Sequence, residues 1–436
     1  MPKSNGFDVE IIGGGLAGCE AALTLAELGA KVRLVEAKPI WFSGAHRSEN
    51  LAEIVCSNSF KSTAETTASG TLKNELAFLN CSLLKIAHAC AVPAGSALAV
   101  DRDMFSNKVT EAVHNSKNIE LVHEIAENVN VDIPVIVCAG PLCHGALADS
   151  IASLTGSAQL HFYDAAAPII TAESIDGDRA FFGARYGKGG DDYLNCPMNK
   201  AEYLAFYDAL VNAERATLHD VDDIEVFEGC MPVEVMARRG VDALRFGPLR
   251  PVGFNDFGKP YAVLQLRKEN TAASLYNLVG FQTNLKFDEQ KRVFSMIPAL
   301  KHAEFVRYGV MHRNTFVNAP EVLRRDLRLK DHDKTFIAGQ LCGVEGYVES
   351  IATGLVAAIN VKRILDGKET VFPPSETIVG ALCEYISTPN ANFQPMNANF
   401  GILPPIGGKK SERKRAYYDR SASSIANFAR EIDISH

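Results

Sequence analysis

Two cysteines stand in settings that could expose a reactive thiol. Cys56 lies in Val55-Cys56-Ser57-Asn58-Ser59, where small polar residues suit a turn or a helix start better than a core strand. Cys230 lies in Phe227-Glu228-Gly229-Cys230-Met231-Pro232, between a glycine and a residue that precedes proline. That is a turn, and a turn can present a thiol to a substrate. Spacing alone also fits two buried, inert cysteines, the commoner fate of the residue. Donors concentrate elsewhere. Arg307-Tyr308-Gly309-Val310-Met311-His312-Arg313-Asn314 is unusual for a core, and His312 and Arg313 are its candidate ligand-binding residues. Arg238, Arg239, Arg245 and Arg250 form one basic stretch; Lys409, Lys410, Arg413, Lys414 and Arg415 form another. Charge runs are ordinarily solvated faces, and an RNA contact is the alternative.

These groups need a scaffold, and residues 7–36 supply its start. Phe7-Asp8-Val9-Glu10-Ile11-Ile12 reads as a buried strand, and Gly13-Gly14-Gly15-Leu16-Ala17-Gly18 follows it as G-x-G-x-x-G. A helical pattern over 19–28, Gly29 and a second strand ending at Glu36 complete a βαβ unit. Gly13 permits the tight turn, Gly15 lets a pyrophosphate approach the backbone, and Gly18 lets helix and strand pack closely. Glu36 is placed to accept hydrogen bonds from an adenosine ribose. A Gly-rich turn in an ordinary α/β domain is the bland alternative.

Further along, the spacing predicts a helix over 72–89, a strand over 97–102, a helix over 104–113 and strands over 120–125 and 135–140. From 147 to 320 aromatic and polar residues interleave, as in an inserted α+β domain. A strand over 334–340 then reaches Gly339 and Gln340, and Gly343, Gly346 and Tyr347 lead into a helix over 349–365. A second Gly-rich strand-to-helix junction is what an FAD-binding domain needs and a simple NAD-binding domain does not. The expected fold is therefore α/β: a Rossmann-like, two-dinucleotide-fold flavoprotein domain (1–146 and 321–436) carrying a smaller α+β insert (147–320). The tail should end in a helix over 420–432.

Composition narrows the setting. Of the 436 residues 47% are hydrophobic, enough for a large core in two or more domains. No apolar run reaches the ~18 residues of a membrane span, and the first strand follows the N-terminus too closely for a signal peptide. Ten cysteines without regular spacing or a C-x-x-C pair argue against a disulfide framework or a structural zinc site, so no metal is expected. A reducing cytoplasm fits. The net charge of −8 argues against a polybasic coat but permits a local basic face.

Over nearly its whole length the chain resembles the folate- and FAD-dependent tRNA (uracil-5-)-methyltransferases, the TrmFO family. The resemblance rests on Ile12-Gly13-Gly14-Gly15-Leu16-Ala17-Gly18, on both cysteine motifs, and on Ala99-Val100-Asp101-Arg102, Phe162-Tyr163-Asp164-Ala165-Ala166, Tyr193-Leu194-Asn195-Cys196-Pro197, Gly343-Val344-Glu345-Gly346-Tyr347 and Gln394-Pro395-Met396-Asn397-Ala398-Asn399-Phe400. The Gly-rich motif is common to many flavoproteins; the cysteine motifs and Gly-Val-Glu-Gly-Tyr are far more specific. Cys138, where relatives carry a threonine, is a small departure near the cofactor.

The resemblance implies a cytoplasmic enzyme, a monomer, that methylates C5 of a T-loop uridine of tRNA. Methylenetetrahydrofolate gives the carbon, and NADH or NADPH gives the electrons through FAD. It also implies that Cys56 and Cys230 are the functional cysteines. C5 of uracil is a poor nucleophile, and thiolate addition at C6 turns it into a carbanion equivalent. Cys230 is the candidate for that attack; Cys56, expected near the flavin, would act as base or hold the one-carbon unit. Tyr347 would stack on a flavin or pterin ring, and His312 and Arg313 would bind folate or RNA. The alternatives are the same chemistry on a ribosomal RNA uridine, an FAD enzyme of wobble-uridine modification, and a non-catalytic flavin-bound RNA-binding protein.

Overall fold

The computed structural model describes residues 6–156, 160–187, 190–216, 231–254, 258–391, 393–409 and 411–433. A parallel sheet of five strands carries the first Gly-rich turn. Val9–Ile12 lies at its centre, flanked by Val32–Glu36 and then Ile119–His123 on one side, and by Val135–Val137 and then Thr335–Ile337 on the other. The strands are short and apolar because helices cover both faces: Val9, Ile11, Val135, Ile136 and Phe336 are wholly buried. The long-range pairing of 335–337 with 135–137 returns the second Gly-rich junction to the edge of the first.

Helix Leu16–Glu27 and helix Tyr347–Leu365 cross in close contact. A Cβ at Gly354 would stand 2.2 Å from the Ala17 carbonyl oxygen, so only glycine permits this approach. Thr353 Oγ1 accepts the Gly339 amide at 2.8 Å and ties the helix to the strand end before it.

Several boundaries differ from expectation for local reasons. The helix expected over 72–89 is two helices, Ala68–Phe78 and Ser82–Ala89. Asn80 between them has φ 64°, a left-handed turn that asparagine tolerates and a continuous helix does not. The strand expected over 97–102 ends at Val100, because the Asp101 side chain accepts from the Met104 amide at 3.1 Å and caps helix Arg102–Asn115. The tail helix starts earlier, at Arg413–Glu431, and so contains part of the basic run.

A second, antiparallel sheet runs Phe181–Phe182, Tyr193–Met198, Ala262–Lys268, Leu275–Leu278, Ile169–Thr171, Phe305–Arg307. One of its faces packs against helices Lys200–Val211 and Phe287–Phe294 in a separate apolar cluster that includes Leu264, Leu266, Phe206, Phe281 and Phe294. A two-stranded ribbon links the sheets: Leu160–Ala165 pairs with Met311–Phe316. Phe316 belongs to the first cluster and Ile170 to the second, so the chain passes between the clusters along this ribbon.

Candidate functional site

A cavity of about 380 Å³ opens at the carboxyl ends of the parallel strands, where open α/β sheets bind their ligands. It is lined by Gly13, Gly14, Gly15, Leu16 and Ala17 of the first turn, and by Gly339, Gln340, Gly346 and Tyr347 of the second. Gly18 stands just behind. Its Cβ would lie 1.9 Å from the Gly13 carbonyl oxygen, so it closes the strand–helix packing. Gly13 has φ 104°, and a Cβ there would meet the Cys138 carbonyl oxygen at 2.5 Å. Gly15 is different: a Cβ there meets nothing within 4 Å. The backbone at Gly15 therefore faces open space, and the amides of Leu16 and Ala17 at the helix start lack i−4 acceptors. This is a cradle for a phosphate group.

Beside it, Glu36 is nearly buried, and its carboxylate accepts the Gly14 amide at 2.7 Å and the Lys38 amide at 2.9 Å. Each oxygen keeps a second acceptor position for a ribose hydroxyl. Glu124, Ile125 and Ala126, at the end of the neighbouring strand, line the cavity next to it. A carboxylate, a phosphate cradle and a long pocket in sequence fit a dinucleotide such as FAD. Cys138 lies behind the turn, and burial raises its thiol far above its ordinary range, so the replacement there is inert packing.

At the other end of the cavity stands Cys56, in irregular backbone. Its Sγ lies 3.8 Å from the Ala165 carbonyl oxygen of the ribbon. The Tyr347 hydroxyl accepts the amides of Cys56 at 2.9 Å and of Ser57 at 3.0 Å. Burial, then the neighbouring Cys56, push the Tyr347 phenol up, so it stays protonated and holds this loop through its lone pairs. The ring packs against Phe60 at 5.6 Å. Arg102 donates to the carbonyls of Ile54 and Cys56 and pairs with Glu269.

His312 and Asn314 reach the same end from the ribbon, and Gln282 reaches it from the second unit. Burial, then Arg307 and Arg47, lower the His312 imidazole. Arg313 pairs across the ribbon with Tyr163. His46, bonded to Ser43 Oγ at 2.6 Å, also lines the cavity; burial first, then Lys38, lowers it to about 4. It is a neutral hydrogen-bonding group at pH 7.

Cys230 and Lys410 lie outside the described residues. The residues after Cys230 are placed: Met231 is buried, and the Val233 amide donates at 2.7 Å to the carbonyl of Gln282, which lines the cavity. Arg238 and Arg239 are exposed at the end of helix Val233–Ala237, away from the cavity lining, and Lys409 is exposed in the tail. Three residues at the Cys56 end are not among the site residues expected from sequence: His46, Arg102 and Arg267. Arg102 stands in a segment that marks the resemblance. Arg267 has a fainter signal, a basic residue inside the apolar strand Ala262–Lys268.

Among the described residues no helix is long and apolar enough to cross a membrane. The family model of glucose inhibited division protein A matches residues 8–369. A relative from Acetivibrio thermocellus, named methylenetetrahydrofolate--tRNA-(uracil-5-)-methyltransferase TrmFO, is 54% identical over 96% of this chain and 97% of its own. A protein of the same name from Natranaerobius thermophilus is 52% identical over 96% of this chain and 98% of its own. Among solved structures, Aquifex aeolicus GidA matches 99% of this chain and 76% of its own with TM-score 0.73 at 17% identity, a likeness of fold. With relatives this similar over almost their full length, the chain belongs to the TrmFO family of methylenetetrahydrofolate--tRNA-(uracil-5-)-methyltransferases.

Proposed function

We propose that this protein methylates C5 of a uridine in the T loop of tRNA, with methylenetetrahydrofolate as carbon donor and NADH or NADPH as reductant. The observation that carries the reading is the cavity itself. A phosphate cradle and a ribose-binding carboxylate share it with an accessible cysteine, Cys56, at the opposite end. When bound there, FAD supplies the carrier chemistry for the electrons and the one-carbon unit. Gly13, Gly14, Gly15, Leu16, Ala17, Gly18 and Glu36 hold its diphosphate and ribose; Gly339, Gln340, Gly346 and Tyr347 bound its ring.

The two cysteines divide the work on uracil. Cys230 adds to C6 and makes C5 nucleophilic. Cys56 removes the C5 proton once the one-carbon unit has been transferred and its carrier leaves; the resulting methylene takes up the hydride equivalent that originates from NADH or NADPH, and Cys230 then leaves from C6 as thiolate. The Val233–Gln282 hydrogen bond supports Cys230 in this role. That bond places Val233, three residues further along the chain, beside a residue of the cavity lining. The polar lining at this end, His46, His312 and Asn314, is suited to the pterin or the uracil edge. Arg313, with Arg238, Arg239, Lys409 and Lys410, is assigned to RNA or folate. The chain then divides into a cofactor-binding body (1–146 and 321–436) and an inserted substrate unit (147–320). Residues near both edges of the insert, Leu147 and Ile151 at one and Phe316, Val317 and Ala319 at the other, pack into the body's cluster. The enzyme acts as a cytoplasmic monomer.

The test is a trap with tRNA containing 5-fluorouridine. Fluorine blocks removal of the C5 substituent, so the thiol–uracil adduct accumulates. Wild type and Cys56→Ala should give an RNA-linked band on a denaturing gel, and Cys230→Ala should give none. A band that persists in Cys230→Ala and vanishes in Cys56→Ala would exchange the two roles.

A further inference from the structure

We propose that Arg267 is a positioning residue for Cys56, reaching from the antiparallel sheet to set the loop that carries the thiol. The inference rests on the assignment of Cys56 to the reaction. Cys56 and Ser57 lie outside any strand, and the segment joins the neighbouring backbone only at Asn58, whose carbonyl accepts the Val100 amide at 2.9 Å, so side chains define the course of the rest. Tyr347 holds its amides, and Arg102 holds the carbonyl of Cys56. Both belong to the parallel-sheet body. The remaining clamp comes from the other unit: Arg267 Nε donates to Asn58 Oδ1 at 2.7 Å, and its Nη2 donates to Ser57 Oγ at 3.0 Å. Asn58 Nδ2 then donates to the carbonyls of Val100 and Lys268, at 3.0 and 2.9 Å, and ties the end of strand Ala97–Val100 to the antiparallel sheet.

The chemistry of Arg267 argues against a purely structural role. Strand Ala262–Lys268 alternates: Leu264 and Leu266 enter the apolar cluster, while Arg267 faces the opposite side, toward the loop. Arg267 is only 6% exposed, yet the two hydrogen-bond acceptors of its guanidinium are neutral. Glu269, two residues along, is hydrogen-bonded by Arg102 and acts on Arg267 only through space, as the largest charge that offsets its burial. A buried charge bonded to neutral groups is a poor device for stability. What the guanidinium offers is a rigid planar fork, two donors at fixed spacing that fix two consecutive side chains at once. With Ser57 and Asn58 fixed on one side and the amides on the other, the backbone torsions of Cys56 are determined, and its thiol is aimed into the cavity. Arg267 is absent from the cavity lining and touches no reacting atom.

The holoenzymes Arg267→Met and Arg267→Lys test this. FAD content and reduction of the flavin by NADH should stay within about twofold of wild type, because the phosphate cradle is remote from the loop. The kcat for tRNA methylation should fall on the order of ten- to a hundredfold, the cost of misplacing a reacting group by about an ångström, with KM for tRNA unchanged. Lysine should not rescue, since a point charge cannot form the fork. Alkylation of Cys56 by iodoacetamide, followed by peptide mass spectrometry, should change in rate in both variants. Ser57→Ala removes one arm of the fork with little risk to folding. Its loss in kcat should not multiply with that of Arg267→Met, as expected for partners in one contact. Unchanged kcat, or loss of FAD along with kcat, or multiplicative losses, would overturn the inference. Cys56→Ala separates the two levels. If it methylates normally, the assignment of Cys56 fails; if it is inactive while Arg267→Met is fully active, only the positioning role fails.

Discussion

Gly13 and Gly15 are two residues apart, yet they do opposite things. At Gly13 a Cβ would strike backbone at 2.5 Å, and φ 104° is closed to other residues at low cost. At Gly15 a Cβ strikes nothing. Gly15→Val should therefore leave the melting temperature of the apoprotein within a few degrees of wild type and abolish FAD retention, because its side chain fills the phosphate cradle. Gly13→Ala should instead lower the stability of the whole domain. Absorbance at 450 nm after gel filtration, with thermal unfolding of the apoprotein, separates the two; a Gly15→Val protein that stays yellow would misplace the diphosphate. The motif made this much of the site legible, since each glycine's duty follows from the turn it makes. The clamp on Cys56 was not legible. Tyr347 reads as a ring to stack, but its hydroxyl accepts two amides from a loop nearly 300 residues away. Contacts of that sequence separation leave no periodicity to read.

At the scale of elements, the short helices Val233–Ala237 and Ala243–Phe246 form a basic shoulder on the inserted unit. Arg238 and Arg239 are exposed there, and Phe246 is 85% exposed beside them. Arg245 differs: it donates to Asp242 at 2.6 Å and to the Tyr261 carbonyl at 2.9 Å, and stacks over the Tyr261 ring. The basic stretch thus splits into residues facing solvent and one that braces the fold. Arg238→Ala with Arg239→Ala should flatten the slope of log affinity for tRNA against log salt by about 1.5, at roughly 0.7–0.9 per phosphate contact. Arg245→Ala should lower stability and leave that slope nearly unchanged. Filter binding across a salt series measures both, and equal slopes for wild type and the double variant would remove this shoulder from the RNA interface. Composition could not have sorted these arginines, because the sorting depends on which side chain packs over a ring, as Arg245 does on Tyr261, and which stays at the surface after folding.

For the molecule as a whole, one buried carboxylate joins distant parts of the chain. Glu75, on helix Ala68–Phe78, accepts the amides of Ile378 at 2.6 Å and Val379 at 2.8 Å and bonds Ser421 of the tail helix. It caps helix Ile378–Tyr385 and docks Arg413–Glu431 in the same contact. Burial pushes its carboxyl up to about 7, against the pull of these three donors. The folded state therefore binds this proton more tightly than the unfolded chain, whose carboxyl titrates at its ordinary value of 4.5. Between those two values the folded protein holds a proton that the unfolded chain has lost, so stability falls as pH rises through the window and levels off above about 7. The full effect is at most about 3 kcal/mol, at 1.36 kcal/mol per pKa unit. Glu75→Gln has no proton to lose. Its hydrogen bonds will be poorer than those of the wild type by a constant amount, but its stability should lack this pH dependence. Urea unfolding of both proteins at intervals from pH 5 to 8 should show the wild type losing ground to Glu75→Gln up to about pH 7, with parallel curves beyond. Parallel curves across the whole range would mean that the three donors outweigh burial and that Glu75 is ionised throughout, holding the tail as a permanent charged cap.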